Sequence, residues 1–249
     1  MAVQLAPMKD ELAKDAPGTL RALKAMGYDG VELPPDFKLE EASEMARLLR
    51  EADMHCAGFW VNNEDAKVAG GPTYAAAHAL RPYYLAGCVW CGDLARDWRS
   101  CLERLRWTAT AVTNAGHLFV YHGHGWDWGP VPPDGKNALD MLFDELPADI
   151  VQCMFDTFYV TRGGVDAAAY LRRYAGRMPA LHMKELKYED GGPKYAMPGD
   201  GVVDWPGVIA AARDGGVRWL TFDIDPKLFP GLDNARKYLE FFKDRNLLG

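Results

Sequence analysis

Short apolar runs alternate with longer amphipathic segments along the whole chain. The apolar runs are typical of buried strands, and the segments between them have the three- and four-residue apolar spacing of helices. The predicted strands cover residues 3–7, 30–33, 56–60, 86–90, 117–122, 150–156, 180–184 and 219–225. Seven predicted helices cover residues 39–52, 74–84, 98–115, 138–146, 167–174, 206–213 and 234–244, and another precedes Gly27, with Leu20, Leu23 and Met26 on one face. The seventh strand is followed by a predicted long loop rich in glycine and proline.

This alternation gives eight strand–helix units in 249 residues, about 31 residues each. The spacing is typical of a parallel α/β fold, and eight units close naturally into a (β/α)8 TIM barrel. We therefore expect one barrel domain over residues 1–249. A doubly wound open sheet is the alternative. The absence of a GxGxxG sequence after the first strand weakens its dinucleotide-binding form.

Charge and composition narrow the class of protein. The net charge of -7 argues against a nucleic-acid partner, because phosphates would be repelled by an acidic surface. The N-terminus has no basic and apolar signal segment, and no apolar run reaches the length of a membrane span. We expect no membrane partner and a reduced, cytoplasmic protein. Five cysteines cannot all pair within the chain, and the isolated CxxC of Cys88 and Cys91 is expected to fill a buried strand end rather than to bind zinc.

Ionisable residues recur at the carboxyl ends of the predicted strands. Residues two apart share a face of a strand, so His182 and Lys184 point the same way, as do Asp223 and Asp225. Barrel enzymes carry their chemistry at this rim. A single aspartate there more often caps the next helix, but several converging carboxylates need a cation or a shared proton. The residues in question are Glu32, His122, His124, Asp156, His182, Lys184, Asp223 and Asp225.

Several motifs along nearly the whole chain resemble those of the sugar phosphate isomerase/epimerase family, which has a xylose isomerase-like barrel. YHGHGWDW resembles the family pattern YHNHDFEF, DTFYVTRGG resembles DTYW, and ALHMKEL resembles HLKD. PGDGVVDW is similar to GEGxxDW, and FDID stands where many members have VExD. The motifs are specific for the family and less specific for substrate, because members include isomerases, epimerases and dehydratases.

The resemblance implies one divalent metal ion held at Asp127, Asp156, His182 and Asp223. Mn²⁺ or Mg²⁺ is expected, with Co²⁺ or Zn²⁺ as alternatives. Asp127 and Asp223 stand where relatives more often have glutamate, and a side chain one methylene shorter puts the family's proton shuttle in doubt. Asp225, or a water bridging to Asp127, could then complete the ligand set.

The leading hypothesis is a metal-dependent isomerase or epimerase that converts a keto sugar or polyol derivative through an enediolate. Asp127 and Asp223 are the predicted proton-transfer groups. Lys184 is predicted to stabilise the developing oxyanion, and His124 to contact the substrate. The alternative is a lyase, in which His122 or His124 protonates a leaving β-hydroxyl. An endonuclease on a similar barrel is disfavoured by six histidines and the acidic charge.

A third hypothesis is a sugar-binding barrel without catalysis, because tryptophans fall near the predicted strand ends and indole faces stack on sugar rings. The predicted substrate-binding residues are His122, Glu32, Trp60, Trp90 and Asp225, with Trp126 and Trp128 flanking Asp127. Trp60 and Trp90 could equally be core residues. No phosphate-binding loop is present, which favours an unphosphorylated sugar. Tryptophan-rich loops could also form a homo-oligomer contact.

Overall fold

The fold is a closed barrel of eight parallel strands, which confirms the predicted fold class. The computed structural model describes residues 1–88, 94–125 and 136–248, and residues 94–98 only as backbone. The barrel strands are β1 (Ala2–Gln4), β2 (Gly30–Leu33), β3 (His55–Trp60), β4 (Tyr84–Gly87), β5 (Phe119–His122), β6 (Gln152–Asp156), β7 (Ala180–Met183) and β10 (Trp219–Phe222). Neighbours in sequence pair around the barrel, and β10 closes it against β1.

Helices follow the strands and cover the outside of the barrel. They are α1 (Lys9–Met26), α2 (Ala42–Glu51), α3 (Pro72–Leu80), α4 (Leu94–Asn114), α5 (Ala138–Glu145), α6 (Thr157–Arg162), α7 (Ala167–Arg173), α8 (Trp205–Asp214) and α9 (Leu232–Asp244). Side-chain caps set several starts. Asn137, Asp166 and Asp204 each accept a hydrogen bond from a backbone N–H in the first turn of α5, α7 and α8.

Two features differ from the sequence-based expectation. The segment after β7 is not a plain loop, because it forms the antiparallel hairpin of β8 (Glu185–Glu189) and β9 (Gly192–Ala196). The short helix α6 directly after β6 was also not predicted. A six-residue helix and a five-residue hairpin arm are too short to show a clear period. Both elements stand at the carboxyl end of the barrel.

The two faces of each strand separate as the alternation predicts. Leu181 and Met183 pack in the large apolar layer between barrel and helices, together with Phe222 and Ile224. Inside the barrel, a smaller apolar cluster contains Ala2, Ala57, Tyr84, Ala86, Val120, Met154 and Ala180. Above this cluster the inward positions become polar. The barrel is therefore filled with apolar side chains at one end and with ionisable side chains at the other.

Gly58 shows why one glycine is needed inside the barrel wall. A Cβ at this position would lie 2.1 Å from a ring carbon of Tyr84. Tyr84 is fully buried, so its ring has no room to move away. The glycine thus makes room for the tyrosine, whose hydroxyl reaches the polar layer.

The structure also bears on the predicted state of the cysteines and on the predicted absence of a membrane span. Cys56 and Cys153 have free thiols, whereas Cys101 is disulfide-bonded, so the cysteines are not all reduced as the sequence suggested. Among the described residues, no helix is long and apolar enough to cross a membrane.

Candidate metal centre and substrate site

Asp156 illustrates how the fold prepares a ligand position. It ends β6 and also begins α6, where its Oδ1 accepts a hydrogen bond of 2.8 Å from the backbone N–H of Phe158. Its Oδ2 is buried and accepts no hydrogen bond from any residue that the structure describes. One carboxylate oxygen therefore caps the helix, and the other is left open toward the barrel mouth. A buried polar atom without a partner is costly unless something outside the protein satisfies it.

Four donor atoms from four different strand ends converge beside this open oxygen. His122 Nε2 lies 3.0 Å from His182 Nδ1 and 3.9 Å from Asp156 Oδ2. Asp223 Oδ2 lies 3.5 Å from His182 Nδ1. Ligands bound about 2.0–2.2 Å from one ion are roughly 3–3.5 Å from each other. Ligand atoms of His122, Asp156 and His182 lie within 4.8 Å of one another, close enough to bind one ion after small side-chain movements, and Asp223 adjoins this triad through His182.

Glu32 fixes the orientation of His182 from below. The carboxylate is completely buried and accepts four hydrogen bonds. Gln4 Nε2 and Trp60 Nε1 each donate to Oε1 at 3.0 Å, while Tyr84 OH and His182 Nε2 approach Oε2 at 2.5 Å and 2.8 Å. When Nδ1 is deprotonated, as metal binding requires, His182 keeps its proton on Nε2 and turns the Nδ1 lone pair toward the other donor atoms. A carboxylate behind a ligating imidazole is the usual support of a metal-bound histidine.

Lys184 supplies a cation at the same place. Its Nζ lies 2.6 Å from Asp223 Oδ2 and 3.8 Å from Asp156 Oδ2, and 4.7 Å from the centre of the Tyr195 ring. Its backbone is held to α6, because Lys184 N donates to Thr157 Oγ1 at 2.8 Å. The ammonium group is largely buried, so the nearby carboxylates balance its charge rather than solvent.

The close packing shifts the pKa values in opposite directions. Burial raises the pKa of Asp156 to about 6, although Lys184 acts against this. Burial by itself lowers the pKa of His182, but the charges of Glu32 and Asp223 raise it to about 10. Burial and the charge of Lys184 lower the pKa of His124 to about 4, so this imidazole is neutral at pH 7. Burial likewise lowers the pKa of His122.

Lys184 and Asp223 hold each other in their charged forms. Burial lowers the pKa of Lys184, but the charges of Asp223 and Asp156 outweigh it and raise the pKa above its ordinary value. Burial raises the pKa of Asp223, but Lys184 and a hydrogen bond from His182 hold it well below its usual range. The mouth therefore combines charged and neutral groups within a few ångströms, an arrangement common at catalytic centres.

The structure brings together most of the residues predicted from the sequence, with changed positions for some. His122, predicted to bind substrate, lies among the ligand atoms. The ring of His124 lies next to it, 4.5 Å from the His122 ring centre. The centre of the Trp60 ring lies 5.1 Å from that of His122. Asp127 and Trp90, like Trp126 and Trp128, lie outside the described residues.

Two predicted substrate-binding residues are placed differently from that expectation. Glu32 is completely buried beneath His182, and protein donors occupy both of its oxygens, which leaves no position for direct substrate contact. Asp225 Oδ1 accepts hydrogen bonds from the backbone N–H groups of Lys227 and Leu228, at 3.0 Å and 2.8 Å. It therefore caps the turn after β10. The strand ends at Phe222, so the period-two rule does not extend as far as Asp225.

Sequence reasoning did not find several residues around the site. Tyr159 on α6 lies 5.5 Å from the His124 ring, and its hydroxyl is 3.3 Å from that of Tyr195 on β9. Glu185 holds the loop before α8, because its carboxylate accepts from the N–H groups of Gly199 and Val203 and from Trp205 Nε1. The sequence offered one signal for Glu185, which is its position directly after Lys184 at a predicted strand end.

The chain belongs to the xylose isomerase-like TIM barrel family, whose sequence description matches residues 20–245. The sequence is 24% identical over 170 residues to an inosose dehydratase of Clostridium perfringens, which covers 61% of this chain and 56% of that protein. The chain thus spans about half the length of this curated relative.

Solved structures agree on the fold. A sugar phosphate isomerase/epimerase from Parabacteroides distasonis superposes with a TM-score of 0.83 at 15% identity, covering 100% of this chain and 95% of the other. An L-ribulose 3-epimerase gives a TM-score of 0.69 at 16% identity, with coverages of 100% and 94%. The chain thus belongs to a family of enzymes, and the proteins it resembles include isomerases, epimerases and dehydratases.

Proposed function

We propose that the protein is a divalent-metal-dependent isomerase or epimerase that moves a proton next to the carbonyl group of a keto sugar or polyol derivative. The observation that carries this proposal is the convergence of His122 Nε2, Asp156 Oδ2, His182 Nδ1 and Asp223 Oδ2. The open, buried oxygen of Asp156 supports a cation at this place in particular. Asp127 stays a proposed further ligand.

The donor set indicates the kind of ion. Two imidazole nitrogens and two carboxylate oxygens suit Mn²⁺, Co²⁺ or Zn²⁺, whereas Mg²⁺ prefers oxygen ligands alone. Of the two ions that the resemblance implies first, Mn²⁺ is therefore the better match. When bound, the ion would polarise the substrate carbonyl and make the adjacent C–H bond more acidic.

The side chains of the mouth provide the remaining functions. Lys184 is held protonated, so it can donate a hydrogen bond to the oxygen that becomes negative as the enediolate forms. His124 is held neutral beside the ligand atoms and can accept a proton or pass it on. Asp223 is the other proposed proton-transfer group, and its pairing with Lys184 links proton movement to oxyanion stabilisation. Trp60 offers an indole face to the sugar ring.

A dehydratase is the second candidate function, and the similarity to inosose dehydratases favours it. The same enediolate would lose a β-hydroxyl if an acid protonated that leaving group. His124 would supply the proton only if substrate binding raised its pKa, because burial keeps the imidazole neutral at pH 7. The geometry of the described residues therefore favours proton return to carbon over water loss.

The proposal is tested by incubating the Mn²⁺-loaded protein with ketoses and an inosose in D₂O. Proton NMR should show deuterium entering at the carbon next to the carbonyl, together with an epimer or isomer. Accumulation of a dehydrated product would select the second function. Metal-loaded protein that exchanges no proton in any of these substrates would contradict both functions.

A pair of lysine variants tests the proposed oxyanion role. Lys184→Gln should slow the exchange by about 10²-fold or more, because an oxyanion donor is lost, while the metal content stays unchanged. The control is Lys227→Gln, which removes an exposed charge on the loop after β10 and should leave the rate within about twofold. Equal rates for the two variants would remove Lys184 from the reaction.

A further inference from the structure

A cavity lies at the same end of the barrel as the candidate metal centre. It has a volume of 540 Å³ and is formed by α6, the β8–β9 hairpin and the loop after β10. Its wall includes three cationic side chains, Arg162, Lys187 and Lys194, and one carboxylate, Glu189. On a chain of net charge -7, this is a locally positive cavity.

The three cations differ in what they already contact. Lys187 Nζ lies 3.1 Å from Glu189 Oε2, and Lys194 Nζ lies 3.4 Å from the same oxygen and 2.5 Å from Asp190 Oδ2. Both lysines are thus paired within the hairpin. Arg162 forms no hydrogen bond or ion pair with any residue in the described part of the chain, although it lines the cavity. Its guanidinium group is therefore available to a ligand.

Arg162 is also directed toward the barrel mouth. A Cβ on Gly125 would lie 3.0 Å from Arg162 Nη1 and 3.5 Å from a ring carbon of Tyr159. Gly125 directly follows His124. The guanidinium group therefore lies against the segment that carries the mouth histidines, and a side chain other than glycine at position 125 would push it away.

Two tyrosines connect the cavity with the candidate metal centre. Tyr159 and Tyr195 line the cavity, and their hydroxyl groups lie 3.3 Å apart. On the other side, the Tyr159 ring lies 5.5 Å from that of His124, and the Tyr195 ring lies 4.7 Å from Lys184 Nζ. The two tyrosines therefore line the cavity and also lie beside residues of the mouth.

We propose that this cavity, through Arg162, binds a carboxylate or phosphate group carried at the far end of the sugar substrate. The inference rests on the proposed function and narrows its substrate to an anionic sugar or polyol. Arginine presents a planar pair of N–H donors that matches the two oxygens of a carboxylate or phosphate. The sequence alone favoured an uncharged sugar. Arg162 did not enter that prediction, because this isolated arginine lies on a helix that the sequence pattern did not reveal.

The binding test uses inorganic phosphate as the probe, titrated into the metal-free protein and the Zn²⁺-loaded protein and followed by ³¹P NMR. Wild type should bind phosphate in both forms, and Arg162→Gln should weaken the binding about tenfold or more, since a charge-assisted hydrogen bond is lost. Arg172→Gln removes an equally exposed arginine from α7 and should leave the affinity within about twofold. Equal affinities of the two variants, or no phosphate binding by wild type, would overturn the proposal.

A competition experiment identifies the anionic group and separates this proposal from the previous one. D-glucuronate or D-glucose 6-phosphate should displace phosphate from wild type, and uncharged D-glucose should not. Displacement by neither charged sugar would contradict the proposal. Elemental analysis of the same samples tests the metal independently. If the protein holds no metal but binds phosphate through Arg162, the proposed function is wrong and the anion site stands. Phosphate binding that is lost in Asp156→Ala and intact in Arg162→Gln would end the proposed anion site and leave the proposed function standing.

Discussion

Two buried aspartates of this protein have opposite surroundings. Asp140 on α5 is satisfied entirely by protein donors. Its Oδ1 accepts from Tyr170 OH at 2.8 Å and Tyr174 OH at 2.6 Å, and its Oδ2 accepts from Arg173 Nη1 at 2.9 Å and Asn137 Nδ2 at 3.2 Å. Asp156 at the barrel mouth has one oxygen in a helix cap and the other without a donor among the described residues.

The difference distinguishes a carboxylate that supports the fold from one that can bind a ligand. Asp140 holds α5 to α7, and its acceptor capacity is used inside the protein. Glu185 behaves in the same way toward the loop before α8. The open oxygen of Asp156, by contrast, faces two imidazole nitrogens and the cation of Lys184. A buried carboxylate with unused acceptor capacity beside other donor atoms is the better indicator of a site than burial alone.

The largest expected difference concerns stability. Asp140→Ala should lower the free energy of unfolding by about 2–4 kcal/mol, because it leaves two buried tyrosine hydroxyls and an arginine without their acceptor. Asp144→Ala on the same helix removes only the exposed pair with Lys136 and should cost less than about 0.5 kcal/mol. Urea unfolding measures both. Similar losses for the two variants would mean that the Asp140 cluster does not support the fold as described.

An intermediate effect is expected for the support of His182. Glu32→Gln should weaken metal binding about 10–100-fold, because the amide no longer holds the imidazole by a charged acceptor. The control is Glu185→Gln, an equally buried and fully bonded carboxylate away from the donor atoms, whose metal affinity should change less than about threefold. Calorimetric metal titration of folded samples distinguishes the two. If both weaken metal binding equally, Glu32 acts through general stability and not through His182.

The smallest effect is a pH dependence of the metal-free protein. Burial raises the pKa of Asp156 from 3.8 to about 6, so the folded state favours the protonated carboxyl. Its contribution to stability is complete below about pH 4 and is lost as the pH rises through 6. Wild type should therefore lose about 2 kcal/mol relative to Asp156→Asn between pH 4 and 7. A stability difference that stays constant over this range would show that Asp156 is not strained by ionisation.

The sequence predicted the barrel because eight repeated units carry the signal together, and small errors at single boundaries do not accumulate. Asp156, His182 and Asp223 were predictable for a related reason: parallel strands bring their carboxyl ends to one rim. Their burial and convergence in the structure follow from this topology.

Other features depend on side-chain geometry that a sequence pattern does not contain. Whether His122 ligates or binds substrate is decided by a 3.0 Å approach to His182. The inward direction of Glu32 was predictable, but its hydrogen bonds to Tyr84 and Trp60 come from strands β4 and β3, with no local signal. The hairpin and α6 were missed because they are short, and with them the surroundings of Arg162.

In the proposed site, the open oxygen of Asp156 and the nitrogen of His182 hold one divalent ion. The direct measurement is elemental analysis of wild type, Asp156→Ala, His182→Ala and Asp166→Ala after dialysis against Mn²⁺ and buffer. Asp166 caps α7 as Asp156 caps α6 but lies outside the donor set, so its variant controls for the lost cap. We predict about one ion per chain in wild type and Asp166→Ala, and less than about a tenth of that in the other two. Full metal content in both Asp156→Ala and His182→Ala would show that the ion is bound elsewhere.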